Sequence, residues 1–170
     1  TVQKNLYAMT LRNYSALTLL GILGLIQVAS AQMIIDNSQT PVQLVEDILL
    51  GEGVVVSNIT FTGESTQIGY FDATNATFPI AEGIVMSSGD VNEVPGAGGD
   101  FASTGFGTLG DTDLDVVSSA GTNDAVVLEF DFVPTGDSII FDYIFGSEEY
   151  PEYVNAGFND VFAFIVSGPG

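Results

Sequence analysis

No lysine, arginine or histidine follows Arg12, while all 22 carboxylates of the chain lie at Asp36 or beyond it. A domain built from residues 32–170 therefore has no side chain that could supply the cation of an internal salt bridge. Its charge must be relieved by solvent, by bound cations or by protonation. The cationic residues, Lys4 and Arg12, precede an apolar run at 16–26 and then Val28-Ala29-Ser30-Ala31. A basic region, an apolar stretch of roughly 7–15 residues and a small-x-small cleavage site, in that order, describe a secretory signal peptide. A core helix or a membrane anchor is the alternative, but a spanning helix needs about 20 apolar residues. The run here is close to half that and is broken by Gly21 and Gly24. Residues 1–31 are thus expected to be a signal peptide, with Met9 the natural start and 1–8 upstream read-through. Residues 32–170 are expected to form the exported domain, cut short at its C-terminal end.

That stretch is the size of one domain, large enough to bury about two-thirds of its unfolded surface. It has no cysteine and does not need disulfides at this size. An apolar content of 46% with 12 Phe argues against disorder despite the charge. Nucleic acid is excluded as a partner because phosphate binding needs Lys and Arg, and an anionic membrane surface is disfavoured for the same reason. No membrane span is expected in the exported domain. The sequons Asn58-Ile59-Thr60 and Asn75-Ala76-Thr77 matter only in a eukaryotic secretory pathway.

One short helix is well marked. Thr40 can cap it, Pro41 suits its first position and Gln43 sits where a capping-box partner belongs. Val42, Leu44, Val45, Ile48 and Leu49 give it an apolar face, and Gly51 ends it. The rest reads as β. Residues 54–61 are rich in β-branched side chains, and 67–71 and 83–88 are shorter strands bounded by Gly, Asn and Pro. Periodicity vanishes over 89–110, a length of loop that is usually a binding loop or a mobile surface loop. Further on, Val126, Leu128, Phe130 and Phe132 alternate with Val127, Glu129 and Asp131, a half-buried strand pattern. Pro134-Thr135-Gly136-Asp137 predicts a turn into a second alternating run at 139–145, so the two should form an antiparallel hairpin. Residues 161–166 are apolar throughout and predict a central strand buried on both faces. Phe130, Phe132, Phe141, Phe145, Phe162 and Phe164 should share one core. The predicted fold class is mainly β, an antiparallel β-sandwich or jelly-roll-like domain with one short N-terminal helix.

Three clusters of oxygen ligands could serve chemistry. The first is Asp111-Thr112-Asp113-Leu114-Asp115 with Asp124, where carboxylates alternate on what reads as an irregular loop. A calcium ion takes 6–8 oxygens. Thr122 stands where an EF-hand would place its bidentate Glu, so the spacing is not that motif. The second cluster is Glu148 and Glu149 within Gly146-Ser147-Glu148-Glu149-Tyr150-Pro151-Glu152-Tyr153, and the third is Asn159-Asp160. Adjacent acids at a strand end repel, and a bound metal relieves them where no protein cation can. A solvated loop edge is the plainer alternative for all three. Without His, Cys, Lys or Arg in residues 32–170, acid–base chemistry is confined to a carboxylate pair, as in glycoside hydrolysis. No nucleophile elbow, phosphate loop or zinc motif is present.

The run Phe141-Asp142-Tyr143-Ile144-Phe145-Gly146-Ser147-Glu148-Glu149-Tyr150-Pro151-Glu152-Tyr153, followed by Phe158-Asn159-Asp160-Val161-Phe162-Ala163-Phe164 and Ser167-Gly168-Pro169-Gly170, resembles the choice-of-anchor L domain of bacterial surface proteins. Thr40-Pro41-Val42-Gln43-Leu44-Val45, Gly83-Ile84-Val85-Met86-Ser87-Ser88-Gly89, Asp113-Leu114 and Thr122-Asn123-Asp124-Ala125 are similar to the same family's earlier segments. The resemblance covers about residue 40 to the end. It implies export, and attachment to or release from the cell surface through C-terminal sorting signals of assorted kinds, including those of the type IX system in Bacteroidota. It implies no reaction.

The function expected is that of an exported, non-enzymatic surface or adhesin-type domain, calcium-stabilised and facing an extracellular glycan or protein. The alternative is a carbohydrate-binding module or a carboxylate-based glycoside hydrolase, with Tyr150 and Tyr153 as a sugar platform. From the order of features at 1–31, the exported protein is expected to begin at Gln32. Mass spectrometry of the exported N-terminus checks this, and a retained hydrophobic segment would mean an uncleaved anchor.

Overall fold

The computed structural model describes residues 32–96, 104–118, 120–147, 149–151, 153–158 and 160–168. The chain divides after Ser30 into two units, and the described residues all belong to the second. The expected signal peptide lies outside the described residues. Thr40 starts helix α1 (Pro41–Gln43) through a reciprocal capping box. The Gln43 N–H donates to the Thr40 hydroxyl at 3.3 Å, and Gln43 Oε1 accepts from the Thr40 N–H at 2.9 Å. The helix widens into a π turn, Leu44–Leu49, where the Leu50 N–H reaches the Val45 carbonyl at 3.2 Å. Leu44 and Val45 are fully buried, whereas Val42 and Leu49 remain exposed.

Strands β1 (Ile34–Asp36), β3 (Ile68–Asp72) and β4 (Glu82–Met86) form an antiparallel sheet in the order β1-β3-β4. Strands β2 (Val54–Thr62) and β5 (Val127–Pro134) form a second antiparallel pair. Pro41–Gln43 lies against β2 and Leu44–Leu49 against β3 and β4, so the helical segment touches both sheets. The fold is therefore mainly β, antiparallel, with few short helices, as the sequence predicts, and neither sheet closes into a barrel. β5 keeps the expected alternation: Leu128, Phe130 and Phe132 are half-buried while Glu129 and Asp131 are exposed. β2 changes parity midway. Val54 and Val56 face inward in its first half and Ile59 and Phe61 in its second. A bulge between Ser57 and Thr60 inserts the extra residue that makes this possible. Asn58 takes the left-handed backbone there (φ 54) and donates through Nδ2 to Asp131 Oδ2 at 2.6 Å across the pair.

The tightest packing surrounds the three-stranded sheet. Leu44, Val45, Ile68, Phe71, Ala73 and Val91 are buried, the last at the start of the 3₁₀ turn Val91–Gly96. Gln67 is buried among them without a trace of exposure. Its Nε2 donates to the Ser88 carbonyl at 2.9 Å and the Asp124 carbonyl at 3.4 Å, and its Oε1 accepts from the Glu64 N–H at 2.7 Å. One amide thus ties three separate stretches of chain.

Three expectations need correction. β5 pairs with β2 rather than forming a hairpin with 139–145 among the described residues. The bulged β2 supplies a matching inward face (Val56 opposite Phe132, Phe61 opposite Leu128), which nearness in sequence does not guarantee. Residues 161–166 are not a strand buried on both faces. Phe162, Phe164, Ile165 and Val166 are exposed, and Phe164 keeps 54% of its surface in solvent. The six phenylalanines accordingly do not share one core: Phe130 and Phe132 are half-buried in β5, while Phe141 and Phe145 are each 50% exposed. Phe141 instead packs on Phe164 (centroids 4.3 Å apart) and Phe145 stacks on Phe162 (6.0 Å). These rings cover one another rather than being covered by the sheets.

Leu44→Ala should destabilise the domain by about 2–5 kcal/mol through the cavity it leaves. Gln67→Leu should cost about 1–3 kcal/mol for each buried backbone group left without its partner. Urea midpoints at unchanged slope check both. A Gln67→Leu midpoint equal to wild type would show that the amide bridges are dispensable.

Candidate functional site

The segment 104–125 turns carboxylates toward backbone donors. Asp111 precedes helix α2 (Thr112–Ser118), and its Oδ1 accepts from the N–H groups of Asp113 at 2.9 Å and Leu114 at 3.1 Å. This is a helix cap, so the run 111–115 is not the irregular loop the sequence suggests. Asp115 Oδ1 accepts from the N–H of Thr122 at 2.6 Å and from its hydroxyl at 2.7 Å. Gly110 must be glycine here, because a Cβ would collide with the Thr122 carbonyl oxygen. Asp124, at φ 50, accepts from the backbone of Thr108 and Phe106 and from the Thr108 hydroxyl. The Thr108 N–H foremost, against the cost of desolvation, holds the Asp124 carboxyl below the usual range. Asp113 sits exposed on α2. The four aspartates predicted as ligands thus fall in one region, but three of the carboxylates are engaged by N–H and O–H groups.

The second region is the turn between 145 and 160. The Tyr153 N–H donates to the Glu149 carbonyl at 2.8 Å and the Ala156 N–H to the Tyr153 carbonyl at 2.9 Å. Asn155 (φ 64) and Gly157 (φ 90) then reverse the chain. Residues of this turn line a shallow, solvent-open cavity of about 620 Å³. Phe145, Tyr150, Tyr153 and Phe158 supply its rings. Tyr153 and Phe158 meet edge to face at 5.7 Å, and Tyr150 is 73% exposed. Ser147, Glu149 and Asp160 bring oxygens to the same wall, and the Ser147 hydroxyl donates to Asp160 Oδ2 at 2.6 Å. Glu149 and Asp160 both line this cavity, while Glu148 and Asn159 lie outside the described residues. Among the described residues no group of three or more acidic side chains is placed to hold a metal ion.

Sequence reading names the acids and the two tyrosines of this wall but not Phe145, Val154 or Asn155. Asn155-Ala156-Gly157 carries a usable signal, since Asn and Gly favour the positive φ that folds the turn back. Gln67 also escapes it, because nothing local marks a glutamine for burial. Elsewhere, the Tyr70 hydroxyl donates to Glu82 Oε2 at 2.7 Å across β3 and β4. That bond, then desolvation, pushes the phenol up to about 12.

Among the described residues no helix is long and apolar enough to cross a membrane. A family model described as the Choice-of-anchor L domain matches residues 32–170. No curated protein and no solved structure shows a significant match.

A carboxyl held below its unfolded value stabilises the fold above that value, about 3.9 for Asp, and loses the contribution as pH falls through the folded one. Wild-type stability should therefore drop below about pH 4. Asp124→Asn should make the decline shallower without abolishing it, since Asp36 and Asp72 are lowered too, by Ser38 and Thr74. Urea midpoints between pH 6 and pH 2.5 check this; parallel curves for the two proteins would show that Asp124 plays no part.

Proposed function

Because the chain belongs to the Choice-of-anchor L domain family, a family of surface-associated domains, we propose that it acts as an exported, adhesin-type module. It meets an extracellular glycan or protein through the 145–160 cavity and is stabilised by calcium. The cavity carries this reading: it joins exposed rings to hydroxyl and carboxylate oxygens on the turn of 145–160. Rings of this kind, edged by polar groups, suit a sugar face or a protein side chain. Glycoside hydrolysis needs two carboxyl groups flanking one bond, and Asp160 already shares its carboxylate with Ser147, which favours binding over cleavage.

Calcium is supported by charge. A domain with 22 carboxylates and no Lys, Arg or His in residues 32–170 repels itself, and a cation bound only to the folded state stabilises it. Ser147, Glu149 and Asp160, with Glu148 and Asn159 beside them in sequence, are the favoured ligands, and Asp113 marks the second candidate.

Millimolar calcium should raise the melting temperature beyond what sodium chloride of equal ionic strength achieves. A hundredfold excess over Kd corresponds to about 2.7 kcal/mol. Glu149→Gln and Asp160→Asn should reduce the excess, Asp113→Asn should do so only if α2 contributes, and magnesium should do less than calcium. Equal shifts with calcium and matched sodium would leave screening as the whole effect.

A further inference from the structure

The aromatic residues between 141 and 164 include a connected cluster that the sheets do not cover. Phe141 lies against Phe164 with centroids 4.3 Å apart, and Tyr143 touches Phe162 at 5.7 Å and Phe164 at 5.5 Å. Phe145 stacks on Phe162 at 6.0 Å, and Phe162 meets Phe164 edge to face at 4.7 Å. Contacts that join 141 to 164 and 145 to 162 run in antiparallel order, so the rings lie side by side along two neighbouring stretches of chain. Each of the five residues keeps between 44% and 60% of its surface in solvent. An aromatic side chain carries about 150–250 Å², so the cluster presents on the order of 500 Å² of apolar surface in one place. Patches of this size are the largest that soluble monomers usually carry, and they are often functional.

The chemistry of the cluster narrows its partner. Residues 161–168 carry no charge and 138–147 carry one, Asp142, in a chain of 22 carboxylates. A basic segment would find nothing among the rings to answer its charge and would be drawn to carboxylates elsewhere. A glycan needs polar groups placed beside the rings to fix its hydroxyls, and the five side chains offer only the Tyr143 hydroxyl. Two copies of this chain repel wherever their carboxylates face each other, but they can meet on an apolar face that contributes none. Matching one cluster to another buries about 1,000 Å² in total, the size at which a specific interface becomes tenable. One self-complementary patch used by both copies gives a closed twofold pair.

We propose that Phe141, Tyr143, Phe145, Phe162 and Phe164 form the contact through which two copies of this chain pair. Apolar burial drives the pairing, and the carboxylates around it oppose it. Salt therefore strengthens the pair, because it screens the repulsion beyond a Debye length of roughly 10 Å at 0.1 M while leaving the burial in place.

The test is sedimentation velocity on the exported protein in EDTA, from micromolar to sub-millimolar concentration. A dimer should appear as concentration rises, with a Kd about tenfold lower in high salt than in low salt. Hydroxyl-radical footprinting should show Phe141, Phe162 and Phe164 losing reactivity over the same concentration range, a readout that needs no variant. Tyr143→Asp and Phe164→Asp place a like charge in each copy's face and should weaken pairing at least about tenfold, with the circular dichroism of the monomer unchanged. Val133→Asp, at an exposed apolar position of β5 outside the cluster, should leave pairing as it is. Phe145 is left unaltered because it also lines the 145–160 cavity. A protein that stays monomeric at every concentration and salt overturns the proposal. Rings shielded in that monomer would mean that other chain covers them, and reactive rings would mean that the face stays free. Pairing that weakens with salt, or that Val133→Asp disrupts as much as Phe164→Asp does, overturns it too.

Discussion

The structure is organised around one deficit: carboxylates with no protein cation to answer them. The answer is local protons. Asp36 accepts from the Ser38 N–H at 2.9 Å as β1 ends, and Asp72 accepts from the Thr74 N–H at 2.8 Å as β3 ends. Asp90 does the same for Asn92 ahead of a 3₁₀ turn, and Asp111 for the start of α2. The acids therefore serve as punctuation, each closing or opening an element through its side chain. Others reach across the fold to an amide or hydroxyl: Asp131 to Asn58, Asp115 to Thr122, Asp160 to Ser147, Glu82 to Tyr70. Each such bond is modest in net worth, but together they let a strongly acidic chain fold with much of its charge held by dipoles.

This explains what the sequence disclosed and what it hid. The capping box at Thr40 and Gln43 and the alternation of 127–134 rest on interactions within a few residues or on a period of two, and both are legible. The partner of β5 is not, because matching faces can be found at any distance along the chain. Helix α2 is hidden by its own acids: Asp111, Asp113 and Asp115 look like ligands in one dimension, whereas in three the first is a cap and the third a clasp for Thr122. Solvent, bound cations and protonation are the remedies that composition suggests for the charge. Backbone and hydroxyl donors, unassigned in a linear reading, take that role for much of it.

The same distinction separates the two acidic regions structurally. The carboxylates of Asp111, Asp115 and Asp124 are turned toward the protein's own donors and hold this segment in shape. Glu149 and Asp160 line an open cavity beside aromatic rings.

The bulge in β2 gives the strand a built-in phase. With Val54 and Val56 inward on one side of it and Ile59 and Phe61 inward on the other, the strand behaves like text whose reading frame shifts once. Losing one residue between Ser57 and Thr60 would leave the strand continuous and every composition rule intact. It would nonetheless turn one half of the strand inside out, exchanging hydrocarbon for threonine and serine across the pairing with β5. Length variation at this point is therefore constrained far more severely than side-chain identity, and insertions or deletions here would have to come in pairs.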